Sequence, residues 1–157
     1  MGEGFPTRMP RYLDDTYNRV GTALMTSMRL SCLSLGANLY RWGKRASAAC
    51  SLCTSAREDE VHVLGECPAF APQRAELEDT LTEDGLVAMS AAVRRGGFCL
   101  AECVLSTSLA VTAPMIGGAQ DPRRAVWDRR RKNFLLVLWR IRQSLLPAEP
   151  ENDFADL

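Results

Sequence analysis

Histidine occurs once in the 157 residues, and only two of the 19 basic residues, Lys44 and Lys132, are lysine. With a single imidazole, His62, no Ser/His/Asp set can be assembled alongside any metal role for that ring. No Gly-rich phosphate loop or paired catalytic carboxylates can be found, and there is no internal repeat. No stretch approaches the ~20 apolar residues needed to span a bilayer, and "MGEGFPTRMPRYLDD" lacks the apolar run of a secretory signal. The expectation is a soluble intracellular protein, nuclear or cytoplasmic, with an organelle left open and with no membrane partner. In that setting cysteines stay reduced, and clustered thiols read first as metal ligands.

What is present is one domain's worth of chain, 46% hydrophobic, with a formal net charge of zero that conceals strong segregation. Residues 1–49 carry seven Lys/Arg against three Asp/Glu, and residues 50–92 carry two against nine. Residues 93–148 carry ten against three, and the last nine residues carry four acidic groups and no basic one. The preference for arginine suits bidentate contacts to phosphate, and a GC-rich genome gives the same bias.

Apolar spacing predicts a mostly α, small helical domain. Residues 1–10 read as a flexible N-terminus, and 11–49 as a helix with a basic connector. The helix carries a stripe of Leu13, Tyr17, Val20, Leu24, Met28 and Cys32, with Gly36 and Asn38 as stop signals. Residues 50–72 form the cysteine module. Residues 73–112 are helical, as one or two helices broken near Gly85 and ended by Gly96 and Gly97, then a short apolar helix. Residues 113–121 are a loop, 122–146 a helix of about 25 residues with Asp121 as N-cap and Pro122 at its first turn, and 147–157 an acidic tail. Its segment "NFLLVLW" is apolar nearly all round and should be buried on several sides.

The densest chemistry is Cys50-x2-Cys53-x8-His62-x4-Cys67. A Cys-x2-Cys turn places two sulfurs at neighbouring vertices of a tetrahedron, and the polar insert "TSAREDEV" returns the chain so that His62 and Cys67 supply the others. Four such ligands hold one Zn²⁺ and leave no open position for a water nucleophile, so the predicted role is structural. Ordinary buried thiols are the plain alternative. A redox Cys-x2-Cys is disfavoured because no βαβ pattern precedes it. Cys99 and Cys103 could hold a second metal only if other ligands were supplied; with no histidine left, they and Cys32 read as core packing.

With its flanks, "MRLSCLSLGANLYRWGKRASAACSLCTSAREDEVHVLGECPAFAPQRAEL" resembles the zinc-binding region near the C-terminal end of reverse transcriptases from LINE-type (non-LTR) retrotransposons. The matching positions are Met28, Arg29, Leu39, Arg41, Gly43, Cys50, Cys53, Asp59, His62, Leu64, Cys67, Pro68 and Arg74. The resemblance implies zinc at Cys50, Cys53, His62 and Cys67 and a setting in which RNA or DNA is handled. It implies no catalysis here, because the polymerase aspartates belong to a far larger palm that 157 residues do not supply.

Two basic segments are candidates for nucleic-acid contact: Arg41, Trp42, Lys44 and Arg45 before the cysteines, and Arg123, Arg124, Arg129, Arg130, Arg131 and Lys132 on the late helix. Phosphate binding by such residues is salt-sensitive and independent of sequence, and Trp42, Trp127 and Trp139 offer stacking surface. The alternatives are a solvated face pairing with the acidic stretch Glu58 to Asp84 or with the tail, and Trp42 capping the core. Two functions follow: a non-catalytic, zinc-stabilised RNA- or DNA-binding module, or a structural subunit or adaptor that docks through the apolar 134–146 helix.

Overall fold

A computed structural model describes residues 19–106 and 109–146, and all regular structure among them is helical. Helix α1 spans Arg19–Arg29, α2 Gly36–Arg41, α3 Ala71–Glu83, α4 Val87–Arg95, α5 Gly97–Leu105, α6 Leu109–Ile116 and α7 Arg123–Leu145. Between α2 and α3 lie a π-helical turn, His62–Glu66, and a 3₁₀ turn, Pro68–Phe70.

Helix α1 buries Leu24, Met25 and Met28 against α7. It stops well short of the predicted end. Ser31 takes φ 51°, its N–H bonds to Met28 O, and the Cys32 N–H reaches back to Ser27 O, which together make a Schellman stop. Gly43 after α2 and Gly85 after α3 make the same pair of bonds at φ 68° and 73°, so Ser31 does from a strained conformation what glycine does freely. Cys32 consequently lies in the turn and is exposed, not in the core, and Gly36 opens a helix where a stop is expected. Leu13 and Tyr17 lie outside the described residues.

Helices α3 and α4 pack against each other across the predicted break at Gly85, and α4 continues into α5 through Gly96. The predicted 113–121 loop is partly helical: α6 runs to Ile116 with Pro114 within it, its last turn closed by the Gly117 N–H on Ala113 O at 2.8 Å and anchored by the buried Ile116. Helix α7 starts as expected, with the Arg123 N–H bonded to Asp121 Oδ1 at 2.9 Å. Its apolar segment buries Phe134, Leu135, Leu138 and Trp139 against α1 and α3. At roughly 1.5–3 kcal/mol for each fully buried large side chain, this contact is a principal support of the fold.

The cysteine module is seated by backbone contact. Gly65 of the π turn crosses the start of α5 so closely that a Cβ there would overlap the Gly97 backbone. Phe70 and Leu64, both inaccessible to solvent, extend the core beneath the cysteines.

Candidate metal centre

The module is built from two local turns. In the first, the Cys50 N–H bonds to Ser55 O at 3.0 Å and closes a loop that points both sulfurs inward. The N–H of Leu52 donates to Cys50 Sγ and that of Ser55 to Cys53 Sγ, each at 3.4 Å. These are the bonds that stabilise charge on sulfur.

In the second, Asp59 caps the helical turn: its Oδ1 accepts from the His62 N–H at 3.0 Å. Burial works against the Asp59 charge, but the His62 N–H and the Arg57 guanidinium outweigh it and hold its carboxyl below the usual range. The turn then widens, with the Cys67 N–H reaching His62 O at 2.7 Å across five residues.

Together the turns bring the ligand atoms of Cys50, Cys53, His62 and Cys67 within 4.8 Å of one another, a group that can hold one metal ion. Cys50 Sγ and Cys67 Sγ are 4.0 Å apart, and Cys53 Sγ is 3.3 Å from His62 Nε2. A tetrahedral ion at ~2.3 Å from sulfur and ~2.0 Å from nitrogen needs edges of about 3.5–3.8 Å, so these two edges lie within a few tenths of an ångström of that size and the four atoms, spread over up to 4.8 Å, close on an ion by small side-chain shifts. His62 offers Nε2 inward, while Nδ1 lies 3.6 Å from Glu66 Oε2, just beyond hydrogen-bond reach of the carboxylate one helical turn on.

Without a cation the site opposes ionisation. Burial pushes the Cys67 thiol up to about 12, and burial likewise raises Cys50. One group outside the ligand set has the opposite sign. Arg74 donates Nη2 to Cys67 O at 2.8 Å, while its other nitrogen, Nη1, is buried without a hydrogen-bond partner. Burial lowers the Arg74 pKa, and the neighbouring Cys67 acts to raise it. A guanidinium buried there suits a centre whose three thiolates leave it net negative around a dication.

The remaining predicted site residues divide sharply. Arg41 and Lys44 are exposed, Trp42 is 40% exposed with the Arg41 guanidinium 5.9 Å from its ring centroid, and Arg45 is half-buried with Nη2 on Ser51 Oγ. Trp42 thus stands on the surface and does not cap the core.

The late cluster is largely spent internally. Lys132 is fully buried, with Nζ 2.7 Å from Asp128, and Arg131 is 7% exposed and shares that carboxylate. Arg130 pairs with Asp84, Arg123 with Asp121, and Arg124 binds Thr112 Oγ1 and the carbonyls of Gly117 and Gly118. The predicted pairing with the acidic stretch is real at Asp84. Arg129 is exposed. Trp127 and Trp139 are buried and offer no stacking face. The apolar face of the 134–146 segment is likewise covered by the chain itself, with Val137 and Leu145 left exposed, which removes most of the predicted docking surface.

Sequence reasoning missed Glu58. Its carboxylate is wholly buried, accepts from the Gly36 N–H at 2.6 Å, and meets Arg142 of α7 through Nε at 2.9 Å and Nη2 at 3.1 Å. Its own N–H bonds to Ala48 O, and its O accepts from Ala37. In "REDE" nothing local marks this carboxylate as the one turned inward.

Comparison with protein-family models, curated proteins and solved structures returns no match. No described helix is long and apolar enough to cross a membrane.

Proposed function

We propose that this chain is a non-catalytic zinc module, akin to the reverse-transcriptase tail it resembles, that holds a basic and aromatic connector against RNA or DNA. The observation that carries the reading is the Cys3His cluster, gathered within 4.8 Å, beside a connector anchored at both ends. Zinc is the metal that suits three thiolates and one imidazole in a closed tetrahedron, and its role is to hold the two turns together.

Connector residues 40–45 leave α2 through the Gly43 stop, are tied to the turn after α1 by Arg41 Nη2 on Ser31 O at 3.0 Å, and are tied to the cysteine loop by Arg45. Tyr40, Arg41, Trp42 and Lys44 all face solvent there. Cations on a rigid loop supply phosphate contacts, and the exposed rings supply stacking for unpaired bases. Arg129 extends the charge on α7, while Arg124, Arg130, Arg131 and Arg142 are held by contacts within the chain.

The test is binding of zinc-loaded protein to labelled single-stranded RNA, single-stranded DNA and duplex DNA across a salt series. Binding should fall with salt, and Arg41→Ala with Lys44→Ala should flatten the log–log slope by roughly 0.7–0.9 per lost phosphate contact. Absence of binding at low salt by folded, zinc-loaded protein rules the reading out.

The adaptor reading retains one observation: a shallow groove lined by Met28, Val61, Phe98, Ala101 and Leu105, with Phe98 67% exposed. Recovery of a stoichiometric protein partner lost on Phe98→Ser, with no nucleic-acid binding, would favour it.

A further inference from the structure

Two cysteines outside the cage meet each other. Cys99 and Cys103 are four residues apart on α5, so their sulfurs share one face. The Cys99 thiol is close enough to act on Cys103, whose pKa it raises. The fold brings a third sulfur to them from a different helix: Met115 of α6, whose Sδ accepts from Cys103 Sγ at 3.7 Å. Cys103 is almost fully buried, while Cys99 and Met115 retain partial solvent access, which leaves an entry path.

We propose that Cys99, Cys103 and Met115 form a three-sulfur binding site for a soft monovalent cation, Cu(I), distinct from the Cys50/Cys53/His62/Cys67 cage. Thiolate and thioether donors together select Cu(I), which accepts low coordination numbers, whereas zinc demands four ligands of the thiolate, imidazole or carboxylate kind. Sulfurs about 2.3 Å from a trigonal ion stand about 4 Å apart, and the Cys103 to Met115 separation is close to that.

Binding is a proton-for-metal exchange with no redox step: each thiol releases its proton to solvent, two S–Cu bonds form, Met115 adds a neutral donor, and copper stays Cu(I). Burial, with Cys99 beside it, holds the Cys103 thiol up at about 11, so a hard or weakly held cation does not displace the proton. Of the neighbouring charges, Glu102 opposes the anionic centre and Arg95 more weakly favours it, so the metal itself must supply the stabilisation of the thiolates.

The experiment loads the full chain with one zinc, then titrates it anaerobically with Cu(I) buffered by a chromogenic chelator, reading copper retained and zinc released. One copper should be retained with zinc in place. Cys99→Ser should abolish retention, and Met115→Leu, a near-isosteric change, should weaken it at least tenfold with zinc content and helical circular dichroism unchanged. Both positions are half-buried, so the test does not depend on the fully buried Cys103 tolerating substitution. No copper retention, copper uptake matched by zinc release, or retention unaltered in both variants would overturn the proposal.

Discussion

Glu58 and Arg142 are 84 residues apart in sequence and joined side to side in the core, with the carboxylate accepting both Nε and Nη2 of the guanidinium. The same guanidinium caps Ser34 O at 3.0 Å and stacks 5.3 Å from the Trp139 ring centroid, and the same carboxylate starts α2. One buried ion pair therefore ties the end of α7 to the two chain segments that deliver the cysteine loop. Removing one partner strands the other, so Glu58→Gln or Arg142→Met should each cost about 3–5 kcal/mol in urea unfolding. A double substitution should cost much less than the sum, because the stranded charge is gone.

Metal should be part of the fold. Native mass spectrometry of protein purified without denaturant should show one zinc, and Cys53→Ser or Cys67→Ser should lose it together with helical circular dichroism, since structural zinc contributes on the order of 10 kcal/mol. A folded, metal-free wild type would contradict this. Glu66→Ala should leave the four ligands intact and change zinc affinity by less than about two- to threefold in a chelator competition, because Glu66 Oε2 stands 3.6 Å from His62 Nδ1, beyond hydrogen-bond reach.

Ser31→Gly should be neutral or stabilising, by up to about 1 kcal/mol in urea unfolding. The left-handed conformation costs an ordinary residue about 1–2 kcal/mol, partly offset by the larger entropy glycine loses. The Arg41 contact survives because it uses the Ser31 carbonyl.

Gly65→Ala should do the reverse. Its new methyl meets backbone, which cannot rotate away, so the π turn must lift from α5. The expected cost is about 2–4 kcal/mol, with zinc affinity falling alongside, as measured by unfolding and chelator competition.

Acid should weaken the helix contacts in a defined window. The Arg130 hydrogen bonds hold the Asp84 carboxyl below its usual range, and the Arg123 bonds hold Asp121 down to about 2. For carboxylates with depressed folded pKa values, the stabilisation is fully present above about pH 4 and disappears as pH falls through the folded value. Unfolding midpoints between pH 5 and 2 should drop less steeply in Asp84→Asn than in wild type.

The cysteine spacing, the Asp121–Pro122 start and the break at Gly85 were legible in the sequence because each depends on neighbours within a turn or two. Lys132, Arg131 and Glu58 were not. A charged residue in a charged run carries no local mark of burial, and their environments are made by partners elsewhere on a helix face or far along the chain. Met115 escaped for the same reason: its sulfur matters only because α6 folds back onto α5.

The wide turn from His62 to Cys67 sets a rule of register. In an ordinary α-helix each residue advances about 100°, so positions five apart point well over a quarter-turn away from each other. The five-residue hydrogen bond absorbs that excess and turns both ligands to one side. A variant lacking one residue between them would present the same two ligands from a plain α-helical turn, while one with the present spacing relaxed to α geometry would swing Cys67 out of reach. The spacing and the odd winding are thus one choice.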